Sequence, residues 1–583
     1  MSMKKLLVYL KEYTLECIVS PLFKMLEAGF DLCVPLVVAA VIDVGIAGND
    51  RSYILWMCLV LVVLGLVGLT CSLIAQWFAA KAAVGFAAKV RHALFEHILS
   101  LSYTQQDNQG TATLITRMTS DINQLQNGVN MALRLMLRSP FVVFGAMVMA
   151  FTIDLQAALI FVVVIPLLCV VIFGIMALSM PLQKQVQAGL DQVLGIAREN
   201  LTGVRVIRAF NRQEAEGERF RGANQALDRL QQFTGKISGA TNPITFVIIN
   251  LGIVAILYTG GVRVNTGSLT QGQVVALVNY MSQILVELIK MANTIVLEVK
   301  AMASAARVQA ALELPVGQEK PQAGKTGDPA HPVAVEFRDV SARYDGAGAD
   351  SLTGISFRAL RGQTIGVIGG TGCGKTTLVN LIPRFYDVSQ GQVLVDGTDV
   401  REYDLETLRR KIGVVPQKAV LFRGTIRENL LWGNPDATDE ELWTALETAQ
   451  AAQVVRDKPG GLDEEVEQGG RNFSGGQRQR LTIARALVRQ PEILILDDSA
   501  SALDFATDAA LRKAIRALPQ DPTLFIVSQR AASIRFADQI LVLEDGVPAG
   551  LGTHDRLLES CPVYKEIYDS QFKLPGEEEK KNG

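Results

Sequence analysis

The sequence is short of net charge, of histidine and of any cysteine pattern. Its 56 basic and 58 acidic side chains leave a formal charge of −2, so no cationic excess marks a nucleic-acid partner. Seven cysteines, at positions 17, 33, 58, 71, 169, 373 and 561, show no paired or CxxC spacing, and four lie in very apolar stretches. They read as packing residues, which excludes a disulfide framework and a cysteine metal site. The first residues, MSMKKLLVYLKEY, carry lysines but no small-residue cleavage site. They read as an amphipathic helix on the inner membrane face, not as a cleaved signal.

What the chain has in excess is apolar surface. Hydrophobic residues make up 49% of its 583 positions, and the excess sits in the first half. Residues 1–312 hold six apolar spans long enough to cross a bilayer, near 18–47, 53–80, 130–152, 155–179, 243–263 and 272–296. The outer connections are short. The inner ones, 81–128 and 180–241, are long, helical in pattern and rich in Lys and Arg, which places them in the cytoplasm. The expectation is an all-α, six-helix transmembrane domain whose helices run far past the bilayer. Within the inner connections, Asp107–Asp121 and Glu199–Glu216 each show a glycine break followed by a short helix. Each reads either as a docking segment or as a solvated helix extension. Ionisable residues inside spans are functional candidates by default. Asp31, Glu287 and Lys290 are those candidates, with a self-neutralising pair as the plainer reading of Glu287 and Lys290. Arg134 and Arg138 lie near the cytoplasmic end of the third span, where snorkelling explains them.

Residues 313–333 are rich in Pro, Gly and Lys and read as a linker. From there to about 575 strands and helices alternate, implying an α/β domain, and 576–583 form a charged tail. That domain contains Gly369–Thr376, GGTGCGKT, between an apolar strand (Thr364–Ile368) and a helical run (Thr377–Ile382). The pattern fits a phosphate-binding P-loop. Backbone N–H groups around Gly369, Thr371, Gly372, Cys373, Gly374 and Thr377 converge on phosphates. Lys375 reaches the terminal phosphates and Thr376 ligands Mg²⁺.

Further motifs come in order: Tyr344 in SARYDG, Gln417 in VVPQKAVLF, EEVEQGG at 464–470, NFSGGQ at 472–477, ILILD at 493–497 and SALD at 501–504. With these the second half resembles the ATP-binding cassette of ABC transporters. The whole chain resembles a half-transporter of their six-helix exporter type. The resemblance implies ATP and Mg²⁺ as ligands. It assigns Tyr344 to adenine stacking and Gln417, in VVPQKAVLF, to the metal or the lytic water. Glu464–Gly470 resembles the exporter loop before the signature. Asn472–Gln477, NFSGGQ, is the signature, whose Ser474, Gly475, Gly476 and Gln477 would bind the ATP held by an opposite cassette. Ile493–Asp497 is the Walker B strand, with Asp497 holding Mg²⁺ through water. Asp504, in SALD, belongs to the loop that crosses between cassettes. A single chain would then form no complete site, so a second half-transporter is implied as partner. The two inner segments become coupling helices.

Two positions depart from the family pattern. The residue after Walker B is Asp498 instead of Glu. One methylene less draws the carboxylate back by roughly 1.5 Å, and about 1 Å of misplacement can cost a hundredfold in rate. After the strand Thr523–Val527, Gln529 stands where the family has histidine, and the histidines at 92, 97, 331 and 554 do not replace it. Together with the intact signature, this resembles the degenerate-site subunit of heterodimeric exporters. Alternatives are an ATP-gated regulator or channel, and a slow homodimer. The apolar spans fit an amphipathic drug or a lipid, with a peptide still open. No peptidase domain precedes the first span, which argues against leader processing. The compact layout, with no organelle signal, is expected of a bacterial inner membrane.

Overall fold

A computed structural model describes residues 3–316, 324–499 and 501–572 of the chain. The tail at 576–583 and part of the expected linker, 317–323, lie outside the described residues. By packing, the chain divides into two units. One comprises Met1–Leu99 with Thr111–Leu314, the other Ser100–Gly110 with Pro315–Gly583.

The elements of the first half are, in order, α1 (Leu7–Ile46), α2 (Arg51–Ser100), α3 (Tyr103–Gln109), α4 (Thr111–Ile153), α5 (Leu155–Thr202), α6 (Val204–Ala209), α7 (Gln213–Asn265) and α8 (Gln271–Leu312). The six long ones are long and apolar enough to span a membrane, and at 40 to 53 residues each far exceeds the roughly 20 residues a bilayer requires. Small side chains let them approach closely. Ala75, Ala79, Ala82, Ala83 and Ala87 are all buried along α2, whereas Leu55, Trp56, Leu66 and Trp77 on the same helix are exposed. Prolines 21, 35, 166 and 181 are accommodated inside helices, as neighbouring helices allow in a membrane bundle. In the first inner segment the short helix expected after the break at Gly110, where φ is 73°, is Thr111–Thr116, the opening turns of α4, and a further short helix, α3, precedes the break. In the second, α6 does lie after the break at Gly203.

The intramembrane charges are neither separate nor snorkelling. Arg138 is buried and donates through Nη1 to Glu287 Oε1 (2.6 Å) and through Nη2 to Asp31 Oδ2 (2.9 Å). Ser139 Oγ donates to Glu287 Oε2 at 2.9 Å, and Lys290 Nζ to Glu287 Oε1 at 3.0 Å. The snorkelling explanation of Arg138 is therefore corrected. A guanidinium in an apolar bundle is stable only beside carboxylates, and two are supplied from α1 and α8. The pairing of Glu287 with Lys290 exists, but only as one edge of this larger network. A widened π-turn at Ala132–Met136 directly precedes Arg138, the kind of irregularity that re-aims side chains.

In the second unit, β1 (Val333–Ala342), β2 (Leu352–Leu360), β4 (Gln390–Val395) and β5 (Thr398–Asp399) form an antiparallel sheet in the order β2-β1-β4-β5. The main sheet has the order β10-β9-β3-β8-β7-β6. Here β3 is Thr364–Gly369, β6 Ile412–Val415, β7 Ile493–Asp497, β8 Thr523–Val527, β9 Gln539–Glu544 and β10 Val547–Gly552. All its pairings are parallel except that of β9 with β10. Every residue of β3, β7 and β8 is buried. This is why these strands read as unbroken apolar runs, since parallel strands are covered on both faces. Their C-terminal ends lie side by side, and that edge is where ligands bind in open parallel sheets.

Replacing Arg138 with Met takes from Asp31 its ion-pair partner and leaves the deeply buried Glu287 with Ser139 and Lys290 alone, at a cost of about 3–5 kcal/mol. Thermal unfolding in detergent should show a clear fall in midpoint for Arg138→Met. The fall should be smaller for Lys290→Met, because the Lys290 side chain is 46% exposed.

Candidate functional site

The loop after β3 turns back on itself through glycines. Gly374 has φ of 91°, and a Cβ there would sit 2.6 Å from the Ser351 carbonyl oxygen. Gly372 also lies in the left-handed region, at 84°. Helix α9 (Lys375–Leu381) begins at once after Gly374. Thr371, Gly372 and Thr376 are exposed on the turn, whereas Cys373, Lys375 and Thr377 are buried. Lys375 Nζ folds over the loop, donating to the carbonyl oxygens of Gly369 (3.0 Å) and Gly370 (2.5 Å), with Cys373 Sγ at 3.6 Å. Among the described residues no carboxylate pairs with it in a salt bridge. A buried ammonium held by carbonyls alone is suited to exchange them for an anion.

The neighbouring strand ends supply oxygen ligands. Thr376 Oγ1 donates to Asp497 Oδ1 at 3.1 Å, at the end of β7. A hydroxyl and a carboxylate side by side make a donor set suited to Mg²⁺, a hard cation that takes oxygen ligands. Asp498 comes next in a left-handed conformation with φ of 44°, sparsely populated for a residue with a side chain and typical of functional turns. Its Oδ2 accepts from Gln417 Nε2 at 3.3 Å, so the structure brings these two together. Burial pushes the Asp498 carboxyl above its usual range against the opposing effects of the Gln417 hydrogen bond, Lys375 and Arg530. Burial does the same at Asp497, opposed chiefly by Thr376.

Gln529 is exposed in the loop after β8. A second glutamine, Gln571 at the end of α12, brackets this loop: its Nε2 donates to the Gln529 carbonyl at 2.8 Å and its Oε1 accepts from Ala531 N at 2.9 Å. Here α10 is Gly475–Val488, α11 Phe505–Arg516 and α12 Pro562–Phe572. The bracket is not legible in sequence, because Gln571 is far from every motif. Tyr344 donates to or accepts from Thr377 Oγ1 at 2.9 Å and lies edge-on to Tyr386, ring centres 5.1 Å apart.

Ser474 and Asp504 both cap helices. Ser474 Oγ accepts from Gln477 N (3.3 Å) while Gln477 Oε1 accepts from Ser474 N (2.9 Å) at the start of α10, a reciprocal capping box. Gly475 and Gly476 are its first two residues, with their N–H groups at the helix start. Asp504 Oδ1 accepts from Thr507 N at 2.8 Å at the start of α11, and hydrogen bonds from Thr507 hold its carboxyl below its usual range.

Comparison with known proteins places both halves. The model of the ABC transporter transmembrane region matches residues 17–288, and the ABC transporter model matches residues 352–501. The chain is 37% identical over 545 residues to an uncharacterized ABC transporter ATP-binding protein of Mycobacterium tuberculosis, covering 93% of each. It is 36% identical over 576 residues to one of Bacillus subtilis, covering 99% of this chain and 100% of the relative. It is 30% identical over 565 residues to the ATP-dependent lipid A-core flippase of Escherichia coli, covering 95% of each.

Charge-assisted hydrogen bonds are worth about 1.5–3 kcal/mol, so Lys375→Ala should weaken MgATP binding by about 10- to 100-fold. Equilibrium binding to the full-length protein in lipid measures this, and unchanged affinity would exclude Lys375 from the phosphate site.

Proposed function

This chain belongs to the ABC transporter family, carrying membrane region and cassette in one polypeptide. On that premise we propose that it is one half of an ATP-driven exporter, paired with a different half, and that its own nucleotide site turns over slowly. The observation that carries the reading is the pairing of an intact NFSGGQ turn with Asp498 and Gln529 in the two positions that handle the lytic water. Tyr344 stacks on the adenine, and the glycine turn with Lys375 takes the phosphates. Thr376, Asp497 and Gln417 would hold Mg²⁺, which would offset phosphate charge. Asp498 is one methylene short of reaching a water, and Gln529 donates a hydrogen bond but carries no charge at neutral pH. Positioning dominates this chemistry, so both shortfalls slow it without abolishing binding.

The signature turn at Ser474–Gln477 serves the partner's site, where a glutamate and a histidine complete hydrolysis. Asp504 sits beside that shared boundary. Segments α3 and α6 act as coupling helices, passing cassette closure to the spans. The bacterial relatives support an inner-membrane location with the cassette in the cytoplasm. The largely apolar spans, and the lipid cargo named for one relative, favour an amphipathic or lipid substrate.

Inside-out vesicles from cells making the chain with its partner should concentrate amphipathic fluorescent dyes against their gradient when given MgATP. Vacating this chain's P-loop by Lys375→Ala should reduce uptake. Dye that merely equilibrates would identify a gated pore and overturn the exporter reading.

A further inference from the structure

Helix α3 packs with the cassette unit, and its contacts fall on Asp345, Phe385 and Tyr386, around Tyr344, the residue proposed above to stack on the base. Asp107 Oδ2 accepts a hydrogen bond from the Tyr386 hydroxyl at 2.7 Å. Asn108 Nδ2 donates to Asp345 Oδ2 at 2.9 Å, directly beside Tyr344. Tyr103 packs against Phe385, ring centres 4.7 Å apart, and more loosely against Tyr386 at 6.1 Å. Tyr386 in turn meets Tyr344 edge-on, and the Tyr344 hydroxyl is fixed to Thr377 on the first turn of α9.

The segment that presents Tyr386 is built for the purpose. Arg384 has φ of 50°, an unfavourable conformation for a long side chain, and it is held there by surrounding bonds. Its Nε donates to Asp387 Oδ1 at 2.7 Å and its Nη1 to the Arg401 carbonyl at 3.3 Å. The turn aims Phe385 and Tyr386 toward α3. Burial and the Asp107 carboxylate push the Tyr386 phenol far above its usual range, so it remains a neutral donor at any physiological pH. A stretch of twelve residues, 375–386, thus carries both the phosphate-binding lysine and a tyrosine that touches α3.

We infer that Tyr386 is a positioning residue with two faces: its ring edge sets Tyr344 for the adenine, and its hydroxyl ties that setting to α3 through Asp107. Engagement of the base and the placement of α3 are then one linked equilibrium. This rests on the nucleotide reading of the site given above, but no motif assigns Tyr386 a part in it. The two faces are separable by substitution, because Phe keeps the ring and loses the hydroxyl.

The experiment uses the full-length chain in lipid nanodiscs, with binding of MgATP and of inorganic triphosphate, and hydrogen exchange across residues 100–110. For Tyr386→Phe, MgATP affinity should stay within about twofold while the ATP-induced change in exchange at 100–110 disappears. Asp107→Ala should do the same, and the double variant should add nothing further, as expected of two groups sharing one bond. For Tyr386→Ala, loss of an aromatic contact worth about 0.5–1.5 kcal/mol should weaken MgATP by about two- to tenfold. Inorganic triphosphate, which has no base, should bind unchanged. Retention of the ATP-induced exchange change in Tyr386→Phe would overturn the link. Equal weakening of ATP and triphosphate by Tyr386→Ala would overturn the positioning of Tyr344. Absence of MgATP binding to the unaltered chain would instead defeat the nucleotide reading, and this inference with it.

Discussion

A buried positive charge that has no ion-pair partner among the described residues organises the cassette. Lys375 is 8% exposed and bonded to two loop carbonyls, with Asp497 and Asp498 close enough to feel its charge though neither is ion-paired to it. The surrounding structure makes sense as the means of holding it so. Three parallel strands, buried over their whole length, end at the same edge and fix the loop from below. Gly374 admits a backbone path that no Cβ would fit. The helix that starts at Lys375 aligns its first N–H groups with the same point. In the proposed function a polyanion would supply what the loop lacks, and the hydroxyl–carboxylate pair of Thr376 and Asp497 would take the cation that accompanies it.

The membrane unit solves the opposite problem. There the burial of Arg138 is offset inside the bundle by Asp31 and Glu287, drawn from helices far apart in sequence. Ser139 and Lys290 occupy further bonding positions on Glu287. Such a network is sensitive to the relative placement of α1, α4 and α8, since each contributes one charge or more. Moving any one of these three helices away from the others would leave a buried charge unpaired.

Much of this is legible in the chain, and the exceptions have physical reasons. The six spans announce themselves because crossing a bilayer demands long apolar runs, and the strands at Thr364, Ile493 and Thr523 because burial on both faces demands unbroken ones. The helix opened by Ser474 is announced by its capping residues. Arg138 reads wrongly as a snorkelling residue because a single helix shows only a nearby membrane end, while its partners lie 107 and 149 positions away. The place of α3 relative to Gly110 is hidden because YTQQDNQ has no apolar period, and its position is set by contact with Tyr386 and Asp345. Gln571 escapes for the same reason, being a polar residue whose meaning lies wholly in what it brackets.

Without the family's glutamate and histidine, the proposed nucleotide site binds well and hydrolyses slowly. Its most direct test is Mg²⁺-dependent ATPase activity of this chain purified alone in lipid, beside an Asp498→Asn control. Near-zero turnover despite tight MgATP binding is expected, with little further loss in the control. Brisk turnover abolished by Asp498→Asn would contradict it, making Asp498 an adequate base and the chain a self-sufficient homodimer.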